Sequence, residues 1–193
     1  MKYIKKGVSF LKEPGKSFEK EKKSSLGEAF KYMTILLLVN AVLGAAATSI
    51  WTAFAYYALS TAMVATDILF IFIATFAITY AGTLLALVLW GMLLHLCAYL
   101  FGARKGFGQT LKAIFYGNTP HYVLGWIPVI SFISIIWSFA LTGIGIMKLH
   151  EMEGAKAAVS LIIALAIAII AVATASLFLF ASLLSFMPSL GMF

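Results

Sequence analysis

The sequence predicts an all-α integral membrane protein, a polytopic bundle of five transmembrane helices. Of the 193 residues, 63% are hydrophobic and 11% are charged, whereas soluble domains carry roughly 25% charged residues. Apolar runs at residues 33–53, 82–101 and 157–184 reach the roughly 20 residues that cross a hydrocarbon core of about 30 Å. These runs are continuously apolar and do not alternate, which favours helices over a transmembrane barrel.

The positions of the basic residues set the predicted topology. Nine of the 14 Lys and Arg residues lie in residues 1–31. The other five are Arg104, Lys105, Lys112, Lys148 and Lys156. Under the positive-inside rule all three clusters are cytoplasmic, so the intervening apolar stretches supply two, two and one crossings. We therefore expect a multi-pass protein of the cell membrane, with a cytoplasmic N-terminus and an extracytoplasmic C-terminus.

The basic N-terminal segment, residues 1–31, is predicted to be distinct from a transmembrane domain at residues 32–193. Ile4, Val8 and Leu11 recur at helical spacing among lysines, a pattern typical of an interfacial amphipathic helix. Pro14 would end that helix. A disordered basic tail is the alternative interpretation.

Residues 54–81 are apolar but surplus to the five-helix count. A straight helix over residues 61–101 would be roughly 60 Å long, about twice the hydrocarbon core. We expect a break near Tyr80 and Gly82, with residues 60–80 folded against the outer leaflet. An additional span over residues 61–80 is the alternative, and it would place Arg104 and Lys105 outside.

Glycine and proline divide the remaining apolar sequence. Gly125 and Pro128 predict a tight turn between helices at about residues 110–125 and 128–147. Pro120 lacks a backbone donor, so we expect a kink near Asn118. The last helix carries small residues at helical spacing, which favour packing against other helices in lipid. These are Ser160, Ala164, Ala168, Ala171 and Ala175.

Four polar side chains within apolar stretches are candidates for intramembrane function, namely Asn40, His95, Asn118 and His121. They could line a solute path, or each could hydrogen-bond a neighbouring helix with no further role. The sequence contains no catalytic motif and no pair of histidines at metal-binding spacing. We therefore expect no enzyme, metal site or cofactor. The placement of the basic charge also argues against nucleic acid.

The segment from Gly102 to Pro120, the sequence Leu-Gly-Trp-Ile-Pro ending at Pro128, and the Leu-His-Glu sequence ending at Glu151 resemble the Yip-one domain family of Ypt/Rab-interacting membrane proteins. The short basic form is most similar to prokaryotic members. The resemblance implies five transmembrane helices, a cytoplasmic N-terminus and association with itself or with other membrane proteins. It maps the family motif onto Gly102, Lys105, Gly106, Thr110, Tyr116, Gly117 and Pro120.

Eukaryotic relatives are linked to Rab GTPases through a longer N-terminal region, so the short N-terminus here argues against a Rab-type partner. Basic residues near a membrane surface also attract anionic lipids. The candidate headgroup contacts are Lys2, Lys5, Lys6, Arg104, Lys105 and Lys112. The alternative role of these charges is to set topology. We expect a non-enzymatic scaffold that organises membranes or acts in trafficking, interacting with lipids and membrane proteins. A small-solute transporter or channel is the alternative.

Overall fold

Eight helices account for nearly all of the described chain in a computed structural model, which covers residues 2–59 and 64–186. No strand occurs in these two ranges. The helices are α1 (Lys2–Lys12), α2 (Pro14–Glu21), α3 (Leu26–Ala58), α4 (Ala65–Leu100), α5 (Phe107–Gly117), α6 (Thr119–Leu124), α7 (Pro128–His150) and α8 (Gly154–Phe186).

Four of these helices, α3, α4, α7 and α8, are long and apolar enough to cross a membrane. This agrees with the predicted class of helical membrane protein. Helices α5 and α6 together cover residues 107–124, and at 1.5 Å per residue they would reach about 27 Å. The five-span count requires this pair to cross as one unit, and it stays a prediction.

The expected break near Tyr80 and Gly82 is wrong, because α4 is one continuous helix of 36 residues. A lone glycine costs a helix only about 1 kcal/mol relative to alanine. Breaking the helix would instead expose unpaired backbone groups to lipid, at several kcal/mol for each group. No separate span over residues 61–80 exists either, since α4 begins at Ala65; residues 60–63 lie outside the described part.

The predicted interruption at Asn118 and the predicted turn after Gly125 are both confirmed. Helix α5 ends at Gly117, and α6 begins at Thr119 with Pro120 in its first turn. Helix α7 then starts at Pro128. Proline is tolerated in the first turn of a helix, where no internal hydrogen bond is lost.

Helix α5 lies at the centre of the bundle, and every residue from Thr110 to Gly117 is buried. It packs most extensively against α7 and also contacts α3 and α4. Helix α8 packs against α4 and α7, whereas α1 and α2 pack against α6 and α7 respectively. The N-terminal helices thereby cover part of the central helix that the long helices leave open.

The N-terminal segment forms a helical hairpin, α1 followed by α2, and is not a disordered tail. Gly7 and Phe10 form the inward face of α1, whereas Ile4 and Val8 of the predicted interfacial face are exposed. Phe10 packs edge-on against Phe18 of α2, with ring centroids 4.9 Å apart. The boundary between an N-terminal segment and a transmembrane domain stays a prediction, although α3 already begins at Leu26, before residue 32.

The small residues of α8 divide into two groups. Ser160 and Ala164 are fully buried against the bundle, as their spacing predicts. Ala171 and Ala175 are exposed, together with every described side chain that follows them in α8. The second half of α8 therefore has no packing partner within the described chain.

Candidate functional site

Charge is concentrated at one end of the bundle, which we call the charged end. It comprises residues 2–31, the loop at residues 101–106 with the first two turns of α5, and the turn at residues 151–153 with the adjoining turns of α7 and α8. Every Lys, Arg, Asp and Glu except Asp67 belongs to these segments. The opposite end, which we call the far end, contains Asp67 as its charged residue. Any charge-dependent function therefore belongs to the charged end.

Lys112 of α5 binds the C-terminus of α2. Its ammonium donates hydrogen bonds to the carbonyl oxygens of Glu21, Lys22 and Ser24, at 3.0, 2.9 and 3.0 Å. The last carbonyls of a helix lack internal partners, and an ammonium has three donors to offer them. Lys112 is only 3% exposed. The charge of Lys112 is therefore already enclosed by protein, and its predicted headgroup contact stays a prediction.

A second contact between the hairpin and α5 centres on Glu21. Its carboxylate pairs with Lys6 at 2.7 Å and accepts a hydrogen bond from the Tyr116 hydroxyl at 2.8 Å. Phe10 stacks on the Tyr116 ring, with centroids 4.7 Å apart. Burial acts to raise the pKa of Glu21, but the hydrogen bonds from Lys6 and Tyr116 outweigh it and hold the pKa below its ordinary value. Lys6 thus pairs within the protein, and its predicted headgroup contact stays a prediction.

Exposed ion pairs link the hairpin to other parts of the charged end. Glu151, just after α7, pairs with Lys105 at 2.8 Å and with Lys22 at 3.3 Å. Glu19 pairs with Lys148 of α7 at 2.7 Å. A hydrogen bond and the positive charge from Lys105, together with those from Lys22, lower the pKa of Glu151. These pairs align α2 with α7, although exposed pairs contribute little stability individually.

Three polar side chains form a hydrogen-bonded chain between α4, α5 and α7, with Thr110 and His150 buried and His95 half-buried. The Thr110 hydroxyl lies 2.8 Å from Nδ1 of His95 and 2.9 Å from Nε2 of His150. A hydroxyl has one proton, so Thr110 donates to one imidazole and accepts from the other. Nδ1 of His150 is buried and has no partner among the described residues. The geometry joins three helices and leaves one buried nitrogen, Nδ1 of His150, unpaired.

Side chains from neighbouring helices hydrogen-bond the backbone at the interruption between α5 and α6. The His121 amide donates to the Ser138 hydroxyl at 3.1 Å, in place of a carbonyl of its own helix. The His121 carbonyl accepts from the Asn40 side chain at 3.0 Å. The Asn118 side chain donates back to Ile114 at 2.9 Å. Lipid supplies no such partners, so these polar groups satisfy the backbone that the break leaves open.

The structure thus brings together three of the four polar candidates, Asn40, Asn118 and His121, while His95 belongs to the separate cluster with Thr110. Sequence reasoning did not pair His95 with His150, because these residues are far apart in the chain. The presence of Thr110 in the family motif was the available signal. In residues 2–59 and 64–186, no group of three or more His, Cys, Asp or Glu side chains could hold a metal ion.

A family model, the Yip1 domain, matches residues 8–177 of this chain. The chain belongs to the Yip1 domain family. No curated protein and no solved structure matches it. The Yip1 match supports a membrane location, and this family is not known as enzymatic.

The residues that the sequence analysis assigned to the family motif lie in or beside the central helix, and the assignment stays a prediction. Gly102 and Gly106 adopt φ angles of +110° and +87° in the loop before α5, a conformation that favours glycine. Gly117 lies against α7, where a Cβ atom would stand 2.8 Å from the Cα of Thr142. Thr110 and Tyr116 make the buried contacts described above. The motif residues therefore divide between the exposed loop before α5 and the buried surface of α5 and α6.

Two grooves open beside the central helix. One, of about 390 Å³, lies between α4, α7 and α8, and Asn118 and His121 are among the residues that line it. The other, of about 440 Å³, lies near the charged end between α4 and the first turn of α5. Both are lined mainly by apolar side chains, including Trp90 and Phe139 in the first.

Proposed function

We propose that this Yip1-domain protein is a non-enzymatic membrane scaffold that organises membranes or acts in trafficking, and that it contacts lipids and membrane-protein partners. The observation that carries this proposal is the use of the intramembrane polar groups. Asn40 and His121 bond one another around the helix break, and Ser138 completes their contacts. These groups hold the helices in place, which leaves the outer surfaces of the bundle to interact with other molecules.

The halves of α4 and α8 that lie toward the far end supply the surface for protein partners. Large apolar side chains there are exposed, with Phe70 at 72% and Phe178 at 77%. Lipid covers such surface as well as protein does, so small residues decide where another helix can approach closely. Ala171 and Ala175 provide that close approach on α8. A second copy of the chain or a related membrane protein is the proposed partner.

The charged end faces the cytoplasm in this proposal, and the N-terminus lies there too. The five-span arrangement then places the loop before α5 inside and the start of α4 outside. Single cysteines at Lys105 and Val64, in a Cys97→Ala background, test it with a membrane-impermeant thiol reagent applied to intact cells. Val64→Cys is expected to react and Lys105→Cys to stay protected. Reaction at both positions contradicts the topology.

Self-association and lipid preference test the scaffold function directly. Purified protein, labelled on an added exposed cysteine, is reconstituted in vesicles with and without anionic lipid. Energy transfer between copies should be present, should fall in an Ala171→Leu, Ala175→Leu double variant, and should persist in a control with Ala181→Leu. Energy transfer that is absent in vesicles of both compositions, with and without anionic lipid, contradicts the proposal.

A small-solute transporter or channel is the second candidate, and the groove at Asn118 and His121 favours it. Because His95 belongs to a different cluster, the groove gives a discriminating test. Solute flux into proteoliposomes that is abolished by Asn118→Leu but retained in His95→Ala would support transport through this groove. Flux that is absent, or equal in both variants and wild type, argues against it.

A further inference from the structure

A groove near the charged end has the form of a binding site for a single lipid chain. It is lined by Met92, His95, Leu96 and Tyr99 of α4 and by Phe107 of α5. Met92 and Leu96 are 55% and 60% exposed, so the groove opens outward to the membrane. Its residues extend over two turns of α4, about 10 Å along the helix axis. The groove therefore follows the direction in which an acyl chain enters a bilayer.

A cation lies at the charged end of this groove. The guanidinium carbon of Arg104 stands 3.9 Å from the centre of the Tyr99 ring. One of its nitrogens, Nη1, donates to the carbonyl oxygens of Tyr99 and Ala103. These contacts fix the orientation of the guanidinium, and its Nε and Nη2 donors have no partner in residues 2–59 and 64–186. Arg104 is thus held in one orientation, and its Nε and Nη2 donors can still bind a ligand.

Arg104 differs from the cations beside it. Lys105 pairs with Glu151 at 2.8 Å, and Lys156 pairs with Glu153 at 3.7 Å. No carboxylate in the described part of the chain pairs with Arg104. A guanidinium matches a phosphate with two parallel hydrogen bonds, which a lysine ammonium cannot do. The charge that is missing beside Arg104 is therefore one that an anionic ligand can supply.

We propose that this groove binds one anionic phospholipid, with its phosphate on Arg104 and one acyl chain against Met92, Leu96 and Phe107. This inference rests on the proposed lipid contact and gives it a defined site. The uncompensated charge of Arg104 favours a lipid with net negative charge over a zwitterionic one, and the adjoining apolar groove favours a ligand that carries a chain. A free phosphate would leave the groove uncovered, so the site is specific for a membrane lipid.

Native mass spectrometry of the detergent-purified protein tests this site. Phosphatidylglycerol and phosphatidylcholine with identical chains are added in turn, and retained lipid is counted. Wild type should retain phosphatidylglycerol preferentially. Arg104→Gln should lower that retention about tenfold, which corresponds to about 1.4 kcal/mol of binding free energy. Lys156→Gln, the matched control, removes an exposed cation outside the groove and should retain the lipid like wild type.

A second variant tests the groove without changing charge. Met92→Trp fills it from an exposed position that the fold does not depend on, and should lower retention of both lipids. An excess of inorganic phosphate should not displace phosphatidylglycerol. If wild type prefers phosphatidylglycerol but Arg104→Gln and Met92→Trp retain it equally, the site is wrong while the scaffold proposal stands. If wild type does not distinguish the two lipids, the lipid contact of the scaffold proposal is also wrong.

Discussion

The half of the molecule near the charged end and the half near the far end are held together by different kinds of contact. Near the charged end, α5 is enclosed by other helices, and Lys112, Thr110 and Tyr116 each hydrogen-bond to another element. Toward the far end, α8 carries exposed side chains on all sides. Apolar contact does not distinguish protein from lipid, whereas polar contact does. The first half therefore has a fixed arrangement, and the second stays available to partners.

The largest expected effect comes from the close approach of α5 and α7. Gly117→Ala places a Cβ atom 2.8 Å from the Cα and 2.9 Å from the amide nitrogen of Thr142. Because the obstacle is backbone, the helices must separate, at a cost of about 3 kcal/mol. Thermal unfolding in detergent, followed by size-exclusion chromatography, should show a much lower midpoint or no folded protein.

The matched control for that change is Gly82→Ala in α4. A Cβ atom added at Gly82 meets no atom within 4 Å, and alanine is the better helix former by about 1 kcal/mol. Its midpoint should equal or exceed that of wild type. Similar losses in both variants would show that the two halves of the bundle do not differ in packing.

The second largest effect on stability comes from the polar chain of His95, Thr110 and His150. Thr110→Val keeps the shape of the side chain but removes the hydroxyl that joins His95 to His150. Interhelical hydrogen bonds in membranes average only about 0.6 kcal/mol each, but here two imidazole nitrogens also lose their partner. We expect a loss of about 2 kcal/mol. Thr174→Val, whose hydroxyl bonds to its own helix in the exposed part of α8, should leave the unfolding midpoint unchanged.

Docking of the hairpin gives a smaller effect. Lys112→Met leaves three carbonyl oxygens at the end of α2 without their donor, and we expect the docked hairpin to weaken by about 1.5 kcal/mol. Limited trypsin digestion at neutral pH should then cut within residues 12–23 faster than in wild type. Lys156→Met removes an exposed cation from the same end and should leave the rate unchanged. Equal rates in all three proteins would mean that Lys112 does not hold the hairpin.

Local signals in the sequence predicted the parts of the fold that local chemistry determines. The membrane class follows from composition, and the interruption near Asn118 follows from Pro120, which cannot continue a helical ladder. Gly82 was also expected to interrupt its helix, but α4 continues through it. The difference is physical, since glycine only weakens a helix, and lipid provides no alternative partner for the backbone.

The candidate site was less predictable because its contacts join distant segments. The spacing of Ile4 and Val8 predicted the apolar face of an interfacial helix, but it gave no sign that Phe10 is buried against the Tyr116 ring. Lys112 looks like a surface lysine in the sequence. Its role depends on the end of α2, some 90 residues earlier in the chain, and no local pattern encodes that contact.

The smallest expected effect is a pH dependence of the charged end. Hydrogen bonds from Lys6 and Tyr116 outweigh burial and keep the pKa of Glu21 below the ordinary 4.5. A lowered carboxyl pKa stabilises the folded state above the unfolded pKa, and this stabilisation is lost as the pH falls through the lowered value.

Spin labels on Lys12→Cys and Lys31→Cys, in a Cys97→Ala background, should give a narrow distance distribution at pH 7. The distribution should broaden below pH 4.5. Glu21→Gln should abolish this change, whereas Glu13→Gln, which loses only a pair with Lys16 within the hairpin, should keep it. A distribution that stays narrow in acid would mean that Lys112 and the aromatic contacts hold the hairpin without Glu21.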